Sequence, residues 1–193
     1  MGFPYGSDED AAFIIAWLEL NNFEGITLLA NLISEIDQNF EGKIKINNLN
    51  KIINFKNKSI LMKGAGLIDY INSEIKSKNK ISLKIINCKD GIFFLPLIYK
   101  NSEYANSYKL TFHDVNKKIK TYEIIDKEII LYQNKYNDKL DQNTVSIEIN
   151  GNIEKTNNPI KNRIISEKKI QLNLSQSLNP KSDAWNKITK LAN

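Results

Sequence analysis

Apolar positions in this chain change their spacing near residue 81. Before that point they recur every three or four residues, and after it they alternate or gather in short runs, so the first part reads as helices and the second as strands. The clearest helical stretch begins at Ser7. Phe13, Trp17 and Leu20, with Ile14 and Leu18, fall along one broad face that must be buried. Ser7 is placed to cap this helix, Asp10 completes a looser Ser-x-x-Asp form of the capping box, and Asp8, Glu9 and Asp10 face the positive end of the helix dipole. After the break Asn21-Asn22-Phe23-Glu24-Gly25, a second apolar run over 26–36 predicts a partner helix, and the two form the nucleus. A third helix is expected over 67–75, where Leu67, Ile68, Ile71 and Ile75 keep helical spacing. Between them, Lys43-Ile44-Lys45-Ile46 alternates like a short strand before the Asn47-Asn48 turn. Leu49, Ile52, Ile53 and Phe55 fit a short helix and an irregular packed segment equally well.

From Ile81 the pattern predicts a hairpin, with strands at 81–88 and 92–99 joined by the Lys89-Asp90-Gly91 turn. Pro96 lacks a ladder donor, which puts the second strand at a sheet edge or on a bulge. Short strands follow at 108–113, 119–125 and 128–133; 138–143 is a polar loop, and 144–149 alternates with one face wet and one dry. Asn150-Gly151 signals a turn, 153–162 reads as polar and mobile, and Ile164-Ile165 with 169–174 offers a last strand. Asn179 followed by Pro180 predicts a closing helix over 181–192 with Trp185, Ile188 and Leu191 buried. The expected fold is α+β: N-terminal helices packed on a mostly antiparallel sheet, with a closing C-terminal helix. Neither an internal repeat nor a long linker divides the chain. A single domain over 1–193 is expected, helical over 1–80, mostly β over 81–175, and helical again over 179–193.

Length and composition support that expectation, since 193 residues with 41% hydrophobic and 25% charged side chains suffice for one core. The formal charge of +5 invites a nucleic-acid partner, but Arg163 is the only arginine. Base edges and phosphates are read mainly by arginine's planar fork, so nucleic acid is disfavoured. Cys88 is the single cysteine and cannot form an internal disulfide, which suits a reducing compartment. No apolar run approaches the ~20 residues that cross a bilayer, and Asp8, Glu9 and Asp10 stand where a signal peptide would carry its basic and apolar regions. A cytoplasmic protein with no membrane partner is expected.

Candidate chemistry is sparse. A zinc site built on Cys and His is excluded by count, because Cys88 and His113 are each unique. They make a nucleophilic dyad only if neighbouring strands bring them together; otherwise Cys88 is a small buried hydrophobe. Lys63-Gly64-Ala65-Gly66, ahead of the third predicted helix, is the most suggestive local pattern. Amides at a helix N-terminus beside a lysine can hold a phosphate or carboxylate, which makes Lys63, Gly64 and Gly66 ligand-binding candidates. The competing reading is a tight turn or close packing of small residues. Asp69 stands where a dinucleotide fingerprint needs its third glycine, and no Gly-Lys-Ser/Thr sequence marks a P-loop. The acids at 8–10 are explained by the helix dipole better than by a cation, and Trp17 and Trp185 by the core. Glu103, Asp114 and Glu148 are too scattered to pair from sequence.

Gly2-x-Pro4-x-Gly6, Ala11-Ala12, Trp17-Leu18, Gly25 and Leu28-Leu29 together resemble the opening block of a bacterial domain-of-unknown-function family of about two hundred residues, common in alphaproteobacteria. Gly64-Ala65-Gly66-Leu67 and Leu95-Pro96-Leu97 are similar to its middle, and Trp185-x-x-Ile188-x-x-Leu191-Ala192 to its late helix. That family usually has a further N-terminal helix and a Pro- and Gly-Ala-rich tail, which this sequence lacks. The resemblance implies a bacterial cytoplasmic domain and no activity. The opening, with Gly2-x-Pro4 and Asp10-Ala11, also resembles the N-terminal segment of the second type of malate/lactate dehydrogenase, without that family's catalytic residues. The sequence thus points to a non-catalytic domain that binds a small anionic metabolite or a protein partner, a second copy included. No particular cofactor is implied. The alternative is a small metabolic enzyme using carboxylates or Lys63 in a pocket between helices and sheet.

Overall fold

Helix α1 (Ser7–Leu20) begins where its apolar face predicts, but Ser7 does not cap it. The cap position belongs to Gly6, whose φ of 84° is left-handed backbone, which glycine adopts without strain, and no side chain bonds the first amides. The buried face carries Ala11, Ile14, Ile15, Trp17 and Leu18. At the other end Asn21 folds its Nδ2 back to donate to the Trp17 carbonyl at 2.9 Å. Helix α2 (Gly25–Ile36) follows at once, and its Ile26 amide donates to Glu19 Oε2 at 2.9 Å, so a carboxylate from α1 satisfies an orphan amide of α2.

The computed structural model describes residues 6–36, 44, 46, 52–132, 140–150 and 161–192. Of the strand and turn expected at 43–48 only Ile44 and Ile46 are described, packed against the core; of the mobile stretch expected at 153–162, residues 153–160 lie outside the described residues and 161–162 are strand. Of the ambiguous apolar stretch, Ile53 and Asn54 form strand β1 (Ile53–Asn54), parallel to β2 (Ile81–Ile86). Helix α3 (Ile60–Ile75) connects them. It starts seven residues earlier than its apolar spacing alone predicts, because Ser59 caps it, accepting from the Leu61 amide at 3.1 Å.

The predicted hairpin at 81–99 does not form. Asp90 adopts φ 55° and the chain turns through a short 3-10 helix (Gly91–Phe93) into helix α4 (Phe94–Lys100). A continuous apolar run fits a buried strand or a buried helix equally well by pattern, and here every residue from Phe94 to Tyr99 is buried. Pro96 sits in the first turn of α4, where a missing N–H breaks no helical bond.

Strand β2 pairs instead with β6 (Val145–Ile149), 60 residues further on. Between them come β3 (Ser107–His113), β4 (Ile119–Ile125) and β5 (Glu128–Tyr132), all near their predicted bounds. With β7 (Lys161–Ile165) the described residues give one seven-stranded sheet in the order β1-β2-β6-β3-β4-β5-β7, antiparallel except for β1 with β2. The register aligns Ile147, Leu110 and Tyr122 on one face, all buried, and it aligns Glu148, Lys109 and Glu123 on the other.

The last predicted strand is likewise only half right. Residues 161–165 are strand, but 169–174 belong to helix α5 (Glu167–Leu174), capped by Ser166 Oγ on the Lys169 amide at 3.4 Å. Ile170 and Asn173, three apart, face inward, while Leu172 and Leu174, which alternation would have buried, are exposed. Asn173 donates to Asn21 Oδ1 at 2.9 Å, fixing α5 against the end of α1. Helix α6 (Ser182–Ala192) forms, but its cap position is Lys181, whose carbonyl accepts from the Trp185 amide at 3.0 Å, so Asn179 and Pro180 precede the helix instead of starting it; it packs on α2, with Ala184 and Ile188 inward. Trp185, however, is 48% exposed, because the Ala184 and Ile188 pair, one turn apart, sets the buried face and leaves its neighbour about 100° away from it. The side chain of Leu191 lies outside the described residues.

The fold is therefore α+β, with six helices and a mixed, mostly antiparallel sheet among the described residues. A cluster of buried apolar side chains runs from Ala11 and Trp17 through Phe55, Ile71 and Phe94 to the sheet and Ile170. No helix of the described residues is long and apolar enough to cross a membrane.

Candidate functional site

Trp17 is the largest fully buried side chain and holds three elements together. Its indole stacks on Phe23 with centroids 6.0 Å apart and lies tilted against Tyr99 at 5.5 Å. Tyr99 reaches it because residues 94–100 are helical. Beside this aromatic pair lies a cavity of about 230 Å³ between α1, α4 and α5. Phe13 and Trp17 wall it from α1, Tyr99 and Lys100 from α4, and Ser102 and Glu103 from the short 3-10 helix (Ser102–Tyr104) that follows. Lys127, from the β4–β5 turn, and Glu167, Gln171 and Leu174 of α5 close the other side.

Three of these residues carry buried polar atoms with no hydrogen-bond partner: Trp17 Nε1, Tyr99 Oη and Ser102 Oγ. Each such group costs about 1–3 kcal/mol, and native interiors contain few of them. Among the described residues the others, Asn72 Oδ1 and His113 Nδ1, belong to residues outside this lining, so three of the five belong to residues that line one cavity. Burial raises the Tyr99 pKa above the usual tyrosine value and the negative charge of Glu167 adds to the effect, so the hydroxyl keeps its proton and can donate. The indole N–H is a donor only. Around these neutral donors stand charges of both signs. Lys100 Nζ lies 5.1 Å from the Phe13 ring centroid and 3.9 Å from Asp10 Oδ1, and Lys127 Nζ lies 3.4 Å from Glu167 Oε1.

The candidates chosen from sequence fall elsewhere. Lys63, Gly64 and Gly66 lie inside α3 rather than ahead of it, so their amides belong to the helical ladder and are not offered to an anion. The Lys63 amide, for instance, donates to the Ser59 carbonyl at 3.2 Å. Gly64 is a contact residue: a Cβ there would stand 2.7 Å from Ile60 Cγ2 and 3.0 Å from Leu97 Cδ1, where α3 meets α4. Gly66 faces open space. Packing of small residues, the competing reading, describes Gly64.

Cys88 and His113 do line one cavity, of about 210 Å³ at the β3 end of the sheet, with Asp90 and Asp114 beside them. Burial, and secondarily the Asp90 charge, push the Cys88 pKa far above the ordinary thiol range, so the nucleophilic thiolate is suppressed. The Cys88 amide is tied to the Asn143 carbonyl at 2.8 Å, and Sγ lies 4.0 Å from the Lys89 carbonyl. We expect Cys88 in the folded chain at pH 8 to react with a disulfide reagent at least about tenfold more slowly than free cysteine, and to reach the free rate in denaturant. A folded-state rate at or above that of free cysteine would revive the dyad.

Asp114 is structural: its Oδ1 accepts from the amides of Asn116 and Lys118, both at 2.9 Å, shaping the β3–β4 turn. Glu148 lies opposite Lys109 and Ser82 in the sheet register. The described residues contain no cluster of three or more His, Cys, Asp or Glu able to hold a metal ion. Of the residues lining the helix-walled cavity, sequence reasoning singled out Glu103 without a partner and Trp17 as core. Tyr99, Ser102 and Gln171 carried no signal, since their significance lies in which elements meet.

Residues 1–80 of the chain match the family model described as a protein of unknown function (DUF3726). That segment spans α1, α2, β1 and α3, and includes the opening block on which a family resemblance rests; it ends before Leu95-Pro96-Leu97 and the Trp185 helix. The cavity straddles its limit, with Phe13 and Trp17 inside the matched segment and Tyr99, Ser102 and Glu167 beyond it. No curated protein and no solved structure matches the chain. What the comparison establishes is similarity, over the helical first part of the chain, to a domain of unknown function.

Proposed function

We propose that this protein is a small-molecule-binding domain that takes the carboxylate of an acidic metabolite into the cavity between α1, α4 and α5. The observation that carries this reading is that three residues lining this one cavity, Trp17, Tyr99 and Ser102, each hold a buried polar atom without a partner: Nε1, Oη and Oγ. Left alone they destabilise the fold, whereas a ligand acceptor that reaches them removes that cost. A cavity of about 230 Å³ lies below the ~300–1,000 Å³ of drug-sized ligand pockets, which suits a small metabolite. The three atoms are sealed from solvent, so a ligand reaches them as rim side chains move aside. Lys100 and Leu174, both exposed, are the movable ones.

The enzyme reading gains less. Two carboxylates line the cavity, but Glu103 is exposed and Glu167 is tied to Lys127, while both lysines are at least half exposed rather than desolvated amines.

Tyr99→Phe and Ser102→Ala test the proposal, because they should move stability and binding in opposite directions. Removing an unpartnered buried hydroxyl is expected to stabilise the fold by about 1 kcal/mol in urea titration, while weakening carboxylate binding about tenfold, or 1.4 kcal/mol. Binding is read from Trp17 emission in a Trp185→Phe background, against a panel of small carboxylic acids, and from thermal shift, where a ligand at a hundred times its Kd adds about 2.7 kcal/mol. A panel that leaves both signals unchanged, or variants that lose stability as partnered hydroxyls would, overturns the reading.

A further inference from the structure

We infer that the ligand of this cavity is zwitterionic, a free α-amino acid with an apolar side chain, its carboxylate on the neutral donors of Trp17, Tyr99 and Ser102 and its ammonium facing Glu103. The inference rests on the carboxylate reading and sharpens it. Its ground is the charge on the cavity lining, two lysines and two glutamates, which sum to zero. A site built for a plain anion surrounds it with net positive charge, because an unpaired ion taken from water is costly. Here the unpartnered donors are neutral and the other charges are engaged, Lys127 and Glu167 with each other and Lys100 with Asp10 and the Phe13 ring, which leaves Glu103 as the lining charge without an ion pair among the described residues.

Glu167 is close enough to Tyr99 for its charge to be felt at the hydroxyl. A bare carboxylate on Tyr99 therefore meets a like charge, and an ammonium one or two bonds away relieves it. Gln171, one turn along α5 from Glu167, adds a side-chain carbonyl as a further acceptor for the ammonium. Phe13, Trp17 and Leu174 supply the apolar remainder of the lining, which fits an aliphatic or aromatic side chain and gives a charged one no partner. A cavity of about 230 Å³ accommodates a molecule of the size of leucine.

The test titrates the Trp185→Phe protein with alanine, valine, leucine, methionine and phenylalanine, then compares the tightest of them with its deaminated acid and its decarboxylated amine. For leucine these are 4-methylpentanoate and 3-methylbutylamine. The amino acid is expected to bind at least tenfold more tightly than the acid, with the amine silent. Glu103→Gln, at an exposed position, is expected to weaken the amino acid severalfold and leave the acid unchanged. An acid that binds as tightly as its amino acid, or a Glu103→Gln loss equal for both, overturns the zwitterion and leaves the carboxylate reading standing. An amine as tight as the amino acid, or silence from all three classes, overturns both.

Discussion

Gly25→Ala is expected to cost about 3 kcal/mol or more, the upper end of what overpacking a close contact does. An added Cβ would fall against the Ile15 carbonyl oxygen, 2.8 Å from Leu18 Cβ and 3.1 Å from the Glu19 amide nitrogen. The carbonyl and the amide are backbone of α1, held by its helical ladder, so the clash cannot be relieved by a rotamer. Separating the helices would also release the Ile26 amide from Glu19 Oε2. Gly66→Ala is the control. It lies in the interior of α3 with nothing within 4 Å of an added Cβ, so it should stabilise by about 1 kcal/mol through helix propensity alone. Urea titrations of both variants check this; a Gly25→Ala loss below about 1 kcal/mol would mean that α1 and α2 do not meet as closely as described.

Trp17→Ala should be costlier still, about 4 kcal/mol, as for other buried tryptophans cut to a methyl group. The indole is 1% exposed and supports both Phe23 and Tyr99, so its removal opens a void beside a cavity that already exists. That loss is a large share of the ~5–15 kcal/mol that holds an ordinary domain folded. Denaturant unfolding gives the magnitude, and near-ultraviolet dichroism should show loss of the Tyr99 signal alongside that of Trp17. A variant near wild-type stability would show that the aromatic cluster is not the keystone its geometry makes it. Trp17→Phe keeps most of the packing and removes Nε1, so it separates the packing role from the binding role.

Several elements were legible because one local rule decided each. The three- and four-residue spacing around Trp17 gave α1, alternation gave β3, β4 and β6, and helical spacing around Ile188 marked α6. Where two rules competed, pattern alone misled. The apolar run at 92–99 and the alternation at 169–174 satisfied a strand template, yet both are helices, because Pro96 and Ser166 sit where a helix start needs them. Lys63-Gly64-Ala65-Gly66 does not stand ahead of a helix for a related reason: the Ser59 cap lies upstream, which places these residues in the interior of α3.

Sequence by itself determined the class of fold, and that Cys and His together supply no more than two metal ligands, since counts and periodicity are properties of the chain read locally. Only the tertiary structure decided where a ligand could bind. The cavity is made by two residues from α1, two from α4, two from the 3-10 helix after it, one from a hairpin turn and three from α5, separated by up to 161 positions along the chain from Phe13 to Leu174. Whether an indole, a phenol and a hydroxyl are left without partners depends on how those elements pack, and hydrogen-bond satisfaction is a property of three-dimensional neighbours that no spacing along the chain encodes.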